Sequence, residues 1–115
     1  MNGIEVSEHS GAGYLPLVKF GSWRVAVANY GPHFDRATYR YFERHLLTDE
    51  VFVLLEGEAE LVAGRGAEPL RLEAGKLYNV RQGVWHALLL SEDAKVLIVE
   101  ERETSRENTE YDYFR

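Results

Sequence analysis

A period of two runs through this chain and constrains its fold more than any other feature. "WRVAVANY" (Trp23–Tyr30) sets Trp23, Val25, Val27 and Asn29 on one face and Arg24, Ala26, Ala28 and Tyr30 on the other. "RATYRYFERH" (Arg36–His45) alternates similarly, which would bring Tyr39, Tyr41, Glu43 and His45 together in a regular strand. "EVFVLLE", "AELVAG", "PLRLEA", "KLYNV", "WHALLL" and "AKVLIVEE" follow, rich in Val, Leu, Ile and aromatic residues. Such segments suit the pleated surface of a strand. Turn signals such as "YGPHFD", "LEGEAE", "EAGK" and "SEDA" separate them. Strands and turns repeating every ~8–12 residues are the rhythm of a sandwich or closed barrel. No long helical pattern interrupts them, so a parallel α/β sheet is not expected. The fold class is all-β.

Length and charge narrow the rest. With 115 residues, the expectation is one domain over 1–115, with its barrel core at about 23–101. Thirteen basic against 19 acidic side chains leave a net charge of −6, so no nucleic-acid partner is expected. The absence of cysteine excludes a disulfide framework, a thiolate metal site and a cysteine nucleophile. No run approaches the ~20 apolar residues of a membrane helix, and no membrane partner is expected. The start "MNGIEVSEHSGAGY" does not read as a secretory leader, and the expected compartment is the cytoplasm. Residues 1–13 form a polar leader in which His9 is expected to be solvated. The charged tail, 102–115, ends in Tyr111, Tyr113 and Phe114, rings expected to dock on their own barrel or on a partner subunit.

One stretch is unusual. In "ERHLLTDEVFVLLEG", Glu43, Arg44, His45, Asp49 and Glu50 lead directly into an apolar strand. Glu50 shares its strand face with Phe52 and Leu54, and His86 shares one with Leu88 and Leu90. Faces of this kind point into a barrel. If they converge with the face of Glu43 and His45, two carboxylates and two imidazoles meet in one half-buried volume. A buried, uncompensated carboxylate costs several kcal/mol, against a net stability of about 5–15 kcal/mol. The acids must therefore be solvated, protonated, paired with Arg44 or Arg81, or bound to a metal; strand-end charges in solvent are the competing reading. Imidazole with carboxylate suits Fe, Mn, Ni, Co or Zn. His33, in a Gly-Pro turn, is a candidate for the mouth of such a site. Trp85 alternates with His86 and should face away from the interior, while Tyr39, Tyr41, Phe52, Tyr78 and Trp23 are core or pocket candidates.

Across residues 23–101 the chain resembles the small cupins, double-stranded β-helix barrels of the jelly-roll kind. Their first motif reads His-x-His, three or four residues, Glu, six residues, Gly. Here His45, Glu50 and Gly57 fall at that spacing, with Glu43 in the place of the first histidine. Their second motif reads Gly, five residues, Pro-x-Gly, two residues, His, three residues, Asn. Gly75, Gly83 and His86 match it, while Arg81 replaces the proline and Leu90 the asparagine. The resemblance implies a cupin barrel with His45, Glu50, His86 and Glu43 as metal ligands, the ion being Mn, Fe, Ni or Zn. His45, Glu50 and His86 suffice for a divalent ion with open positions. Glu43 in the first motif position leaves open a fourth ligand, a three-ligand site or no metal at all.

Cupins are isomerases, lyases, dioxygenases and binding proteins, so fold alone does not choose among them. The expected function is divalent-metal binding with action on a small polar or anionic molecule in the barrel pocket. Tyr39, Tyr41 and Arg81 are the candidate substrate-binding residues. The alternative is a non-catalytic module that binds or senses a sugar-like molecule without metal. The resemblance also implies a homodimer, for which the apolar face Val51, Val53, Leu55 and the aromatic tail are the candidate surfaces.

Overall fold

The computed structural model describes residues 2–115. Ten strands and two single-turn 3₁₀ segments make up the ordered elements. The strands are β1 (Gly13–Phe20), β2 (Trp23–Asn29), β3 (Tyr41–His45), β4 (Glu50–Glu56) and β5 (Ala59–Val62). They continue as β6 (Leu70–Arg71), β7 (Tyr78–Val80), β8 (Ala87–Leu90), β9 (Lys95–Glu101) and β10 (Thr109–Tyr113). One antiparallel sheet runs β1-β2-β9-β4-β7. The other is built from β10-β3 and β6-β5-β8. Reciprocal backbone hydrogen bonds between Glu43 and His86, both 2.9 Å, join those two pieces. The two antiparallel layers fit the sandwich or barrel that the alternating pattern predicts and the jelly roll that the resemblance implies. Among the described residues, no helix is long and apolar enough to cross a membrane.

The core lies between the layers. Ala28, Phe52, Leu54, Leu61, Leu88, Leu90, Val96 and Ile98 fill it, all from inward-facing strand positions. A second apolar cluster, Phe42, Val62, Ala87 and Leu89, covers the outer side of the β3–β8 layer, and Trp85 packs on it. Trp85 thus faces away from the interior, as its parity against His86 requires. At the end of β4, Gly57 takes φ 70°. A Cβ there would stand 2.6 Å from the Ala94 backbone. Only glycine meets both conditions.

Several boundaries differ from the sequence expectation. β1 was not anticipated: Pro16 interrupts its alternation, and its pairing with β2 carries an irregularity between Pro16 and Val18. Proline is tolerated there because β1 is an edge strand. Residues 36–40 are not strand, since Asp35 accepts from the Ala37 amide and starts a turn. His9 is buried instead of solvated, its Nε2 2.8 Å from the Gly13 carbonyl. Trp23 is 41% exposed, beside Phe20, and is neither core nor pocket. The tail docks on its own barrel, where β10 pairs antiparallel with β3. Phe114 packs against Tyr39 and Phe42, and Tyr111 against Tyr41.

Candidate metal centre

Three structural devices bring the ionisable residues together. The Glu43–His86 backbone pair makes these two direct cross-strand neighbours. The alternation of β3 then adds His45 on the same face as Glu43. From the opposite layer, Glu50 heads the inward row Glu50, Phe52, Leu54, all buried. In β9 the inward row Val96, Ile98 ends in Glu100. β9 pairs with β4 through Val51↔Val99, and continuing that register by one residue sets Glu100 across from Glu50.

The polar atoms converge. Glu50 Oε1 stands 3.0 Å from His45 Nε2 and 3.0 Å from His86 Nε2. His45 Nε2 lies 3.5 Å from Glu43 Oε1 and 4.0 Å from Glu100 Oε1. Both imidazoles are oriented from behind: His86 Nδ1 donates to the Val84 carbonyl at 3.0 Å, and His45 Nδ1 pairs with Thr109 Oγ1 at 3.0 Å. This outer hydrogen bond leaves the Nε2 lone pair of a neutral ring for a ligand, as in metal-binding histidines generally. Despite their closeness, His45 Nε2, Glu50 Oε1 and Glu100 Oε1 are buried without a hydrogen-bond partner. Buried polar atoms of a folded protein are ordinarily paired. Three unpaired donor atoms pointing at one another suit a divalent cation, whose charge would also offset that of the carboxylates. Donor atoms of Glu43, His45 and His86, and again of His45, Glu50 and Glu100, lie within 4.8 Å of each other.

The electrostatics agree with this reading. Burial opposes ionisation of Glu50, yet the two imidazoles beside it hold its carboxyl well below the usual range. Burial pushes the carboxyls of Glu43 and Glu100 up, and the charge of Glu50 adds to the rise in both. Burial also works against charging the imidazoles, but Glu50 and the other acids raise both His45 and His86. Without a cation, the upward shifts at Glu43, His45, His86 and Glu100 favour protons on the cluster. Metal ligands must shed such protons, so an ion would take their place.

A cavity of about 280 Å³ opens above this cluster. Tyr41, His33, Tyr111 and Arg106 line its outer part. Tyr41 packs edgewise on Tyr111 and at a tilt on His33, and burial with the nearby Glu43 lifts its hydroxyl to about 12. Of the expected substrate-binding residues, Tyr41 and Tyr39 both line this space, and the Tyr39 ring also packs against Phe42 and Phe114. Arg81 is exposed and lies outside the lining. Val80 and Tyr78 pair with Glu50 and Phe52 and share their inward face, so the next residue turns out, and its charge lies beside Asp49. The sequence reading also left out Glu100, Tyr14 and Arg24. All three line the cavity, and the parity of Glu100 with Val96 and Ile98 would have revealed it.

No protein-family model and no curated protein matches this chain. Solved structures do match. A cupin-2 domain containing protein from Shewanella frigidimarina is 23% identical, with a TM-score of 0.63 over 81% of this chain and 85% of that one. The DMSP lyase DddQ from Ruegeria pomeroyi is 22% identical at a TM-score of 0.59, covering 79% of this chain; this chain spans 47% of DddQ. Streptomyces PAC13, as a variant with uridine, is 9% identical at a TM-score of 0.65 over 92% of this chain and 83% of its own. At these identities the likeness shows the fold, and the chain folds as a small cupin domain.

Proposed function

We propose that this protein binds one divalent metal ion through His45, Glu50 and His86, with Glu43 beside them, and acts on a small polar or anionic molecule in the cavity above. The observation that carries this reading is the set of buried, unpaired donor atoms directed at one point, including His45 Nε2 and Glu50 Oε1. A bound divalent ion supplies Lewis acidity, polarising a carbonyl or hydroxyl oxygen of the substrate. The protein's own part is to hold Nε2 of each histidine inward through the Thr109 and Val84 contacts and to keep the floor dry. Glu43 is the least enclosed member, its side chain 28% exposed, and it faces the cavity. Burial holds its proton more tightly than usual, which suits it to exchange a proton with a bound molecule.

Arg106 takes the role that the sequence assigned to Arg81. It lines the cavity, lies 5.7 Å from the Tyr111 ring centroid, and has no ion-pair partner among the described residues. An anionic group on the molecule would meet this cation while its polar end reaches the floor. The neighbouring structures support small-molecule use of such a fold: one is a DMSP lyase and another holds uridine. Calorimetric titration of tag-free, chelator-stripped protein with Mn²⁺, Fe²⁺, Ni²⁺ or Zn²⁺ tests the reading. One equivalent bound per chain is expected. Absence of saturable binding for all four ions overturns it and favours a metal-free binding module.

The outer face of the first sheet supports the proposed assembly. Registers align Val18, Val25, Val99 and Val51 in one row and Leu15, Val27, Leu97 and Val53 in the next. A continuous apolar sheet face of this kind suits contact with a second copy, as Val51, Val53 and Leu55 alone suggest from sequence. A twofold homodimer is the proposed state of the single domain, 1–115. Light scattering at micromolar concentration should give twice the chain mass; the mass of one chain rejects the dimer.

A further inference from the structure

We propose that Glu100 is a further ligand of the metal centre, positioned by Arg24 and Tyr14, and that its added carboxylate narrows the site's preference for Zn²⁺ over harder ions such as Mn²⁺. This inference rests on the metal-binding reading above and deepens it. No motif assigns Glu100: it sits at the inward end of β9, on a strand that carries neither of the two spaced motifs.

Its two oxygens live in different surroundings. Oε2 accepts from Arg24 Nη2 at 3.1 Å and also from the Tyr14 hydroxyl, which in turn accepts from Arg24 Nε at 3.1 Å. Arg24 is the cross-strand neighbour of Glu100 in the β2–β9 register, so the pair is fixed by the sheet itself. Oε1, in contrast, has no partner, although the Glu100 side chain is only 3% exposed. A carboxylate retained only to neutralise Arg24 would have no need to direct its second oxygen at His45 Nε2, 4.0 Å away.

The sheet register adds an independent argument. Glu50 and Glu100 occupy opposite positions on adjacent strands, an arrangement of like charges that destabilises a sheet. Neither Arg24 nor Tyr14 reaches Glu50. A cation between the two acids and His45 resolves the conflict, and these three residues present donor atoms within 4.8 Å of one another. Oxygen donors suit Mn²⁺ and Fe²⁺ better than the softer or more nitrogen-seeking ions. Glu100 therefore narrows the advantage that Zn²⁺ holds over Mn²⁺ at a site with histidine ligands.

The test compares chelator-stripped wild type with Glu100→Gln, Glu100→Asp and Tyr14→Phe, with the exposed Glu110→Gln as control. Mn²⁺ and Zn²⁺ affinities are measured by calorimetry, and the waters on bound Mn²⁺ by proton relaxation. Glu100→Gln is expected to weaken Mn²⁺ by ~100-fold, Zn²⁺ by less, and to add one water to the bound Mn²⁺; Tyr14→Phe should cost ~10-fold, as loss of an orienting partner does. Glu110→Gln should match wild type. If Glu100→Gln fails to fold for want of a partner to Arg24, Glu100→Asp keeps that charge while withdrawing Oε1, and should show the same loss. If neither Glu100 variant folds, Tyr14→Phe decides the matter. Wild-type Mn²⁺ affinity and hydration in a folded Glu100 variant, or in Tyr14→Phe as the deciding variant, overturn the role of Glu100 and leave the His45–Glu50–His86 site standing. No metal binding by wild type removes both.

Discussion

Two cavities of nearly equal size lie on this molecule, and both are lined with charge. The one above the strand interior measures about 280 Å³, the one beside β5 and β6 about 290 Å³. In the second, Arg71 pairs with Glu58 at 2.6 Å and Arg36 pairs with Glu60. Arg36, Glu58 and Arg71 are largely solvated and Glu60 is partly so, and each charge is satisfied by its partner and by water. In the first, Glu50 and Glu100 are buried, each with an oxygen that has no hydrogen-bond partner. The difference teaches that charge content does not mark a site. What marks it is charge that the fold has removed from water without completing its pairing, because that deficit is what a ligand can fill.

The sharpest way to break this comparison is to delete one acid from each cavity. Glu50→Ala should abolish metal binding, with loss of at least ~100-fold in affinity, because both imidazoles lose their shared anion. Glu58→Ala should leave metal affinity unchanged and shift stability by ~1 kcal/mol or less, as expected for an exposed pair. Titration calorimetry and thermal melts read both. Equal effects of the two variants on metal binding would erase the distinction.

A smaller effect separates the cavities by pH. In metal-free protein, the raised His45 and His86 contribute stability that is complete below their unfolded value of 6.5 and lost as pH rises through the folded one. Glu50, lowered to about 2, contributes stability present above 4.5 and lost only as pH falls towards that value. The raised Glu43 and Glu100 add a penalty once pH climbs past 4.5. Melting temperature without metal should therefore fall as pH rises above 6.5, and saturating Mn²⁺ should flatten that fall by replacing the protons. A metal-free protein whose melting temperature rises over the same interval contradicts the charge balance described here.

Much of this was legible in the sequence, for a physical reason. Period-two alternation decides which side chains enter a jelly roll, so Glu50 with Phe52 and His86 with Leu88 announced their direction. Where the structure departs from the expectation, the reason lies in how each position sits in or beside its strand. Arg81 is a cation expected at the pocket, but Val80, paired with Glu50, already occupies the inward position, so the residue after it turns out. Glu100 carries no motif signal, yet it lies two residues beyond Ile98 on the same face. Tyr39 lines the cavity with Tyr41 as expected, but from outside the strand, since the turn at Asp35 delays β3 to Tyr41. The burial of His9 had no sequence signal, since Asn29 and Lys95 hold its carbonyl from distant strands.

The central claim is that a divalent ion completes the pairing of the buried cluster, and anomalous diffraction from crystals grown with Mn²⁺ addresses it directly. The account predicts a single anomalous peak between His45 Nε2, His86 Nε2 and Glu50 Oε1, at full occupancy and absent after chelation. No peak at that position, with the three side chains paired to one another or to water instead, would contradict it.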